Sequence, residues 1–153
     1  MKKNNDNGQI TLLKRAYKYN STVALLILIN TVLAILLMTS VIPHNSISTG
    51  ISLAVPIFAI LAHINTRKLK LKNVGPILIY VANLLGLPLI FWVIVKPGII
   101  MTLAFKEIKA LFIIATFLLQ IIAAIFCYRQ AKKIKKQIFE EDEKEFSSKD
   151  ATK

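Results

Sequence analysis

The chain is short of acid. Eight Asp and Glu stand against 20 Lys and Arg in 153 residues, for a formal net charge of +12, and all charged residues make up only 18%. A soluble domain of ordinary composition carries about 25%. Cysteine is almost absent, and the single Cys127 excludes both a disulfide-stapled secreted domain and a dithiol redox enzyme. No Gly-x-Ser-x-Gly, His-Glu-x-x-His, glycine-rich phosphate loop or Asp cluster for Mg²⁺ occurs. These absences argue against an autonomous enzyme and against a resident metal or cofactor. What is abundant is apolar: 55% of the residues are hydrophobic. That excess excludes a disordered chain, and a nucleic-acid binder would account for the charge but not for the hydrophobicity.

The apolar residues gather in four blocks, which predict an all-α, polytopic membrane protein with four spans, about 22–42, 47–64, 74–95 and 110–128. Blocks one, three and four hold no charge over lengths of about 30 Å at 1.5 Å per residue, the thickness of a hydrocarbon core. Block two is weaker, since its apolar centre, 51–64, is short enough for a re-entrant segment. Charge favours a full span. With four spans and an inner N-terminus, segments 1–21, 65–73 and 129–153 carry 5, 4 and 8 Lys and Arg, against none in 43–50 and three in 96–109. This is a strong positive-inside bias, and removing the second span would destroy it. Tyr17, Tyr19, Trp92 and Tyr128 fall at the interfacial depths that amphipathic rings favour. The first block is too long, and its polar leader too extended, for a cleaved signal peptide.

The flanks are basic and patterned. Residues 1–21 form a basic amphipathic segment: within 9–19, Ile10, Leu13 and Tyr17 share a face surrounded by Lys14, Arg15 and Lys18, the pattern of a short helix on the inner leaflet. After the fourth span, Cys127, Ala131, Ile134 and Ile138 form a stripe at i, i+4, i+7 and i+11, which extends the helix two or three turns. Around it lie Arg129, Lys132, Lys133, Lys135 and Lys136. Together with Lys14, Arg15, Lys18, Arg67, Lys68, Lys70 and Lys72 these cations are candidate contacts for anionic lipid, at roughly 1 kcal/mol each near the surface. Topology-setting charge is the simpler reading. EEDEKE over 140–145 predicts a solvated acidic tail, with disorder from Ser147. In the outer loop, starting the fourth span at Ala110 keeps Lys106, Glu107 and Lys109 out of the bilayer and leaves 99–105 interfacial.

Inside the spans three amides stand out. Asn30, Asn83 and Gln120 lie eight, nine and eight residues from the inner ends at Thr22, Val74 and Tyr128, so all three sit at about 12–14 Å depth. One shared polar layer is the packing solution; a ring lining a pathway is the functional one. Pro56 and Pro88 free the carbonyls of Ser52 and Leu84 and predict kinks in the second and third spans, the third favoured further by Gly86 beside Pro88. His44 and His63 fall on opposite faces, too far apart to share a metal. No Asp or Glu lies within a span, so the titratable group a proton relay needs is missing.

In size, basicity and span number the chain resembles small bacterial membrane proteins that protect a producer from its own bacteriocin; its Lys, Ile and Asn richness suits an AT-rich bacterial genome. Hydropathy, charge bias and the missing motifs predict a non-catalytic, multi-pass plasma-membrane protein with both termini cytoplasmic, and the resemblance implies an accessory or self-protection factor. Its partners would be a bilayer with anionic headgroups, a membrane-active peptide or transporter, or a second copy of the chain. A holin-like pore or small channel subunit is one alternative, and a membrane-anchored interaction module using 129–153 is the other.

Overall fold

The computed structural model describes residues 3–38 and 46–150. They form α1 (Lys3–Met38), α2 (Ser46–Lys68), α3 (Val74–Leu84), α4 (Leu87–Val95) and α5 (Leu103–Asp150), with a 3-10 turn over Pro97–Met101 and no strand among the described residues. Four stretches are long and apolar enough to cross a membrane: Gly8–Leu37, Gly50–Lys68, Val74–Val95 and Leu103–Glu143. His44, the first outer loop up to residue 45 and residues 39–42 of the first apolar block lie outside the described residues.

Two helices outrun any bilayer. With 36 and 48 residues, α1 and α5 measure about 54 and 72 Å, against about 30 Å of hydrocarbon. Residues 9–19 are therefore not a separate helix laid on a surface but the opening turns of α1. Their apolar face is covered by protein: Leu13 and Ala16 are buried against Ile134 of α5, with Tyr17, Leu69, Leu71 and Ile138 packed around them. The stripe Cys127, Ala131, Ile134 and Ile138 does face the bundle, the first three buried and the last packed on their edge. The extension of α5 past Tyr128 runs about six turns rather than two or three, and it stays helical through Ser147 to Asp150, where disorder was expected.

The second apolar block is one helix of 23 residues, unbroken at Pro56. Its end is a left-handed cap at Lys70, with φ of 55°. The Lys70 amide donates to the Arg67 carbonyl at 2.9 Å, and the Leu71 amide to the Thr66 carbonyl at 3.1 Å. This is the Schellman arrangement, in which glycine is the usual residue. The cap turns the chain so that Leu71 reaches the cluster around Ile134 and α3 begins at once.

The third block breaks where Gly86 and Pro88 predict, at Leu85–Gly86 between α3 and α4. The Leu85 amide still donates to Val81, and the next helix restarts with Ile90 donating to Gly86; Pro88 supplies no donor between them. Below the break α3 packs on α5 and α2. Above it, α4 buries no residue, and Trp92 meets Phe105 of α5 edge to face, with ring centroids 6.2 Å apart. The final helix starts at Leu103, seven residues before Ala110, because Thr102 caps it: its Oγ1 accepts from the Phe105 amide at 3.3 Å and donates to the Ile99 carbonyl at 2.7 Å.

The core is a seam of small and β-branched side chains. Val23 and Ile27 of α1, Val55, Ala59 and Ala62 of α2, Ile79 of α3, and Ala123 and Cys127 of α5 form one buried cluster. The buried positions of α1, namely Leu13, Ala16, Asn20, Val23 and Ile27, are spaced by three and four, the repeat of a coiled-coil seam. Gly75 is the closest approach. A Cβ there would stand 2.5 Å from Cys127 Sγ and 3.0 Å from the Cys127 backbone nitrogen, so α3 can lie on α5 only with glycine at this point.

A basic groove over a buried Asn–Thr pair

The cap at Lys70 and the seam at Gly75 place the start of α3 beside the basic stretch of α5. Between them lies a cavity of about 770 Å³. Its wall is built from Asn20 of α1, Lys72, the first turn of α3 (Val74, Gly75, Pro76), and from α5 Phe126, Gln130, Phe139 and the cations Arg129, Lys132, Lys133, Lys135 and Lys136. Phe126, Arg129, Gln130 and Lys133 share one helical face by their spacing. Among the described residues no carboxylate lines the cavity. Nearby, Lys136 pairs with Glu140 at 3.7 Å, both largely exposed, an interaction of little stabilising value. Lys135 lies over the Phe139 ring, 5.8 Å from its centroid.

The first turn of α3 adds positive character of another kind. Its N-cap, Asn73, makes no side-chain capping bond, and the first intrahelical bond runs from the Ile77 amide to the Asn73 carbonyl at 3.2 Å. The amides of Val74 and Gly75 therefore have no intrahelical acceptor, and the helix dipole favours an anion there.

Behind the groove sits a pair that links α1 to α2. Asn20, fully buried, donates through Nδ2 to the Ala16 carbonyl at 2.9 Å and to Thr66 Oγ1 at 3.0 Å. Thr66 spends its own proton on the Ala62 carbonyl at 2.6 Å. Both partners of Asn20 are therefore acceptors, which orients the amide and leaves Oδ1 buried with no hydrogen bond. Asn73 Oδ1 is in the same condition. A polar pair on a coiled-coil-like seam specifies register more than it stabilises. Asn65, the neighbour of Thr66, turns inward to its own helix, donating to the Leu61 carbonyl at 2.7 Å.

The predicted polar residues are distributed differently. Asn30 accepts a hydrogen bond from Ser52 Oγ of α2 at 3.0 Å. Asn83 is exposed and donates to the Ile79 carbonyl of its own helix at 2.8 Å. Gln120 is half-buried on α5. Among the described residues no hydrogen bond joins one of these three to another. Pro56 lies in the unbroken α2, and Gly86 and Pro88 at the break that follows α3. Of the candidate lipid-contacting cations, Lys72, Arg129, Lys132, Lys133, Lys135 and Lys136 converge on the cavity, while Lys14, Arg15, Lys18, Arg67, Lys68 and Lys70 are exposed elsewhere at the same end. His63 lies against Tyr80, ring centroids 5.8 Å apart and planes tilted by 35°, and Tyr80 donates to the Ala59 carbonyl at 3.3 Å.

Sequence reasoning passed over Asn20, Thr66, Asn73 and the start of α3. A signal for Asn20 was present: it continues the three-and-four spacing of Leu13, Ala16, Val23 and Ile27. No family model, curated protein or solved structure matches the chain.

Proposed function

We propose that the protein is a non-catalytic, multi-pass protein of a bacterial plasma membrane with both termini in the cytoplasm, acting as an accessory or self-protection factor of the bacteriocin-immunity kind. The observation that carries this reading is the gathering of all three basic segments at one end of four long apolar helices. The other faces of those helices are bare: Leu25, Leu28, Ile57, Leu111 and Leu118 are among many large apolar side chains left exposed. An apolar surface of that extent belongs in lipid or against another apolar helix. The basic end then faces the cytoplasm by the positive-inside rule. Anionic headgroups are its natural partner.

Self-protection is tested by producing the chain in a sensitive bacterium and challenging it with a cationic membrane-active peptide. Raised survival with an unchanged membrane potential is expected. Depolarisation on expression overturns it in favour of a permeabilising component, to which the break at Leu85–Gly86 would contribute. Reporter fusions after Lys72 and Lys96 test the orientation, with a cytoplasmic signal expected only for the first. Deleting 129–153 separates the third possibility: loss of the phenotype with retained membrane fractionation marks an interaction module.

A further inference from the structure

We infer that the groove between α3 and α5 is a binding site for one anionic phospholipid, held by its headgroup, and that the headgroup is a hydroxyl-bearing phosphodiester of the phosphoglycerol class. The inference rests on the membrane reading above and names the lipid that reading leaves open.

Three observations converge on the same cavity. Its cations, among them Lys72, Arg129 and Lys133, come from two segments, and no carboxylate stands among the described wall residues. Long-range attraction of a basic surface needs no cavity, whereas here the charges surround a space of about 770 Å³, large enough for a headgroup and the first carbons of its chains. Val74 and Gly75, whose amides have no intrahelical acceptor, line the same space, and a helix N-terminus favours a phosphate oxygen. These two features select a negative charge and say nothing about the rest of the headgroup.

The third observation does. Asn20 lines the cavity, and its leftover atom is an acceptor, buried and without a hydrogen bond. A buried acceptor of this kind is unfavourable until a donor arrives. A phosphodiester oxygen has no proton to give, whereas a headgroup hydroxyl does. A ligand that carries both satisfies the cations and Asn20 together. The apolar wall residues then lead the chains away. Val74 begins the exposed stripe Val74, Ile77, Val81 and Leu84 on α3, and Phe126 ends the exposed stripe Leu118, Ile122 and Phe126 on α5.

The test is native mass spectrometry of the full chain released from detergent with added lipids. The lipids are phosphatidylglycerol, phosphatidylethanol (the same charge without a hydroxyl) and phosphatidylcholine. One bound phosphatidylglycerol per chain is expected, retained several-fold better than phosphatidylethanol, with phosphatidylcholine at background. Arg129→Gln with Lys133→Gln should lower that retention at least tenfold, while Lys14→Gln with Lys18→Gln, outside the groove, leaves it unchanged. Asn20→Leu should erase the preference for phosphatidylglycerol over phosphatidylethanol; if that variant does not fold, the preference in the native chain decides the point. Equal losses from the two charge pairs would reduce the groove to diffuse charge and overturn the site. Equal retention of phosphatidylglycerol and phosphatidylethanol overturns the hydroxyl assignment. Binding of soluble glycerol 3-phosphate as tightly as the lipid would make the ligand a free phosphate ester. Release of the chain from membranes by alkaline carbonate, measured separately, would sink the membrane reading itself.

Discussion

At the end of the molecule that holds the three basic segments, α1, α5 and the α2–α3 turn meet around Leu13, Ala16 and Ile134, and Asn20 is bonded to Thr66 just beyond. At the opposite end α4 buries nothing, and Phe91 and Ile94 are 69% and 71% exposed. The two ends differ in side-chain size before they differ in charge. The packed end is rich in small residues: Ala16, Ala59, Ala62, Gly75, Ala123, Cys127 and Ala131. The sequence of α4, LPLIFWVIV, has none. In lipid there is little hydrophobic drive between helices, so association depends on close van der Waals approach, which small residues permit and bulky ones prevent. Charge without a seam would have left the basic segments splayed; the seam turns them into a groove.

That contrast can be broken most directly at Ile134. Truncating this fully buried side chain by Ile134→Ala should cost about 2–5 kcal/mol, seen as a lower midpoint when helical circular dichroism is followed on heating in micelles. Gly75→Ala should come next, at about 1–3 kcal/mol from overpacking, because its Cβ meets the Cys127 backbone as well as Sγ. Cys127→Ala should recover only part of that loss, since it relieves the sulfur contact and leaves the backbone one. A full recovery would mean that the helices do not approach as closely as the seam requires. A smaller effect is expected for the Asn20–Thr66 pair. A double-mutant cycle with Asn20→Ala and Thr66→Val should give a coupling of about 0.6 kcal/mol, typical of interhelical hydrogen bonds in a membrane. Smallest of all, Ile94→Ala in α4 should change the midpoint by less than about 0.5 kcal/mol equivalent. A cost there as large as at Ile134 would show that α4 has a partner and that the contrast between the ends belongs to the isolated chain.

Much of the fold was legible because it depends on one-dimensional quantities. Block lengths and the absence of internal charge marked four crossing-length helices. The missing donor of Pro88, next to Gly86, marked the break. The stripe from Cys127 to Ile138 marked the face that α5 turns inward, because there cations on the other faces made the apolar side visible. Within the blocks the same method failed. A helix apolar all round has no polar side to reveal which face is packed, so equal depth suggested a common layer for Asn30, Asn83 and Gln120. Instead Asn30 pairs with Ser52, and Asn83, one turn before the break, uses the carbonyl of Ile79. The start of α3 drew no notice, since nothing local announces that Val74, Gly75 and Pro76 line a cavity.

By composition and spacing alone, then, this chain determined its four apolar helices of crossing length, its break and the clustering of its cations, because each follows from hydropathy, length or a missing donor counted along the sequence. Tertiary structure alone decided which cations share a cavity, that Gly75 lets α3 touch α5, and that Asn20 keeps an unanswered acceptor beside the groove. Those depend on distances between residues up to more than a hundred positions apart, which are set only when the seams of different helices close on one another.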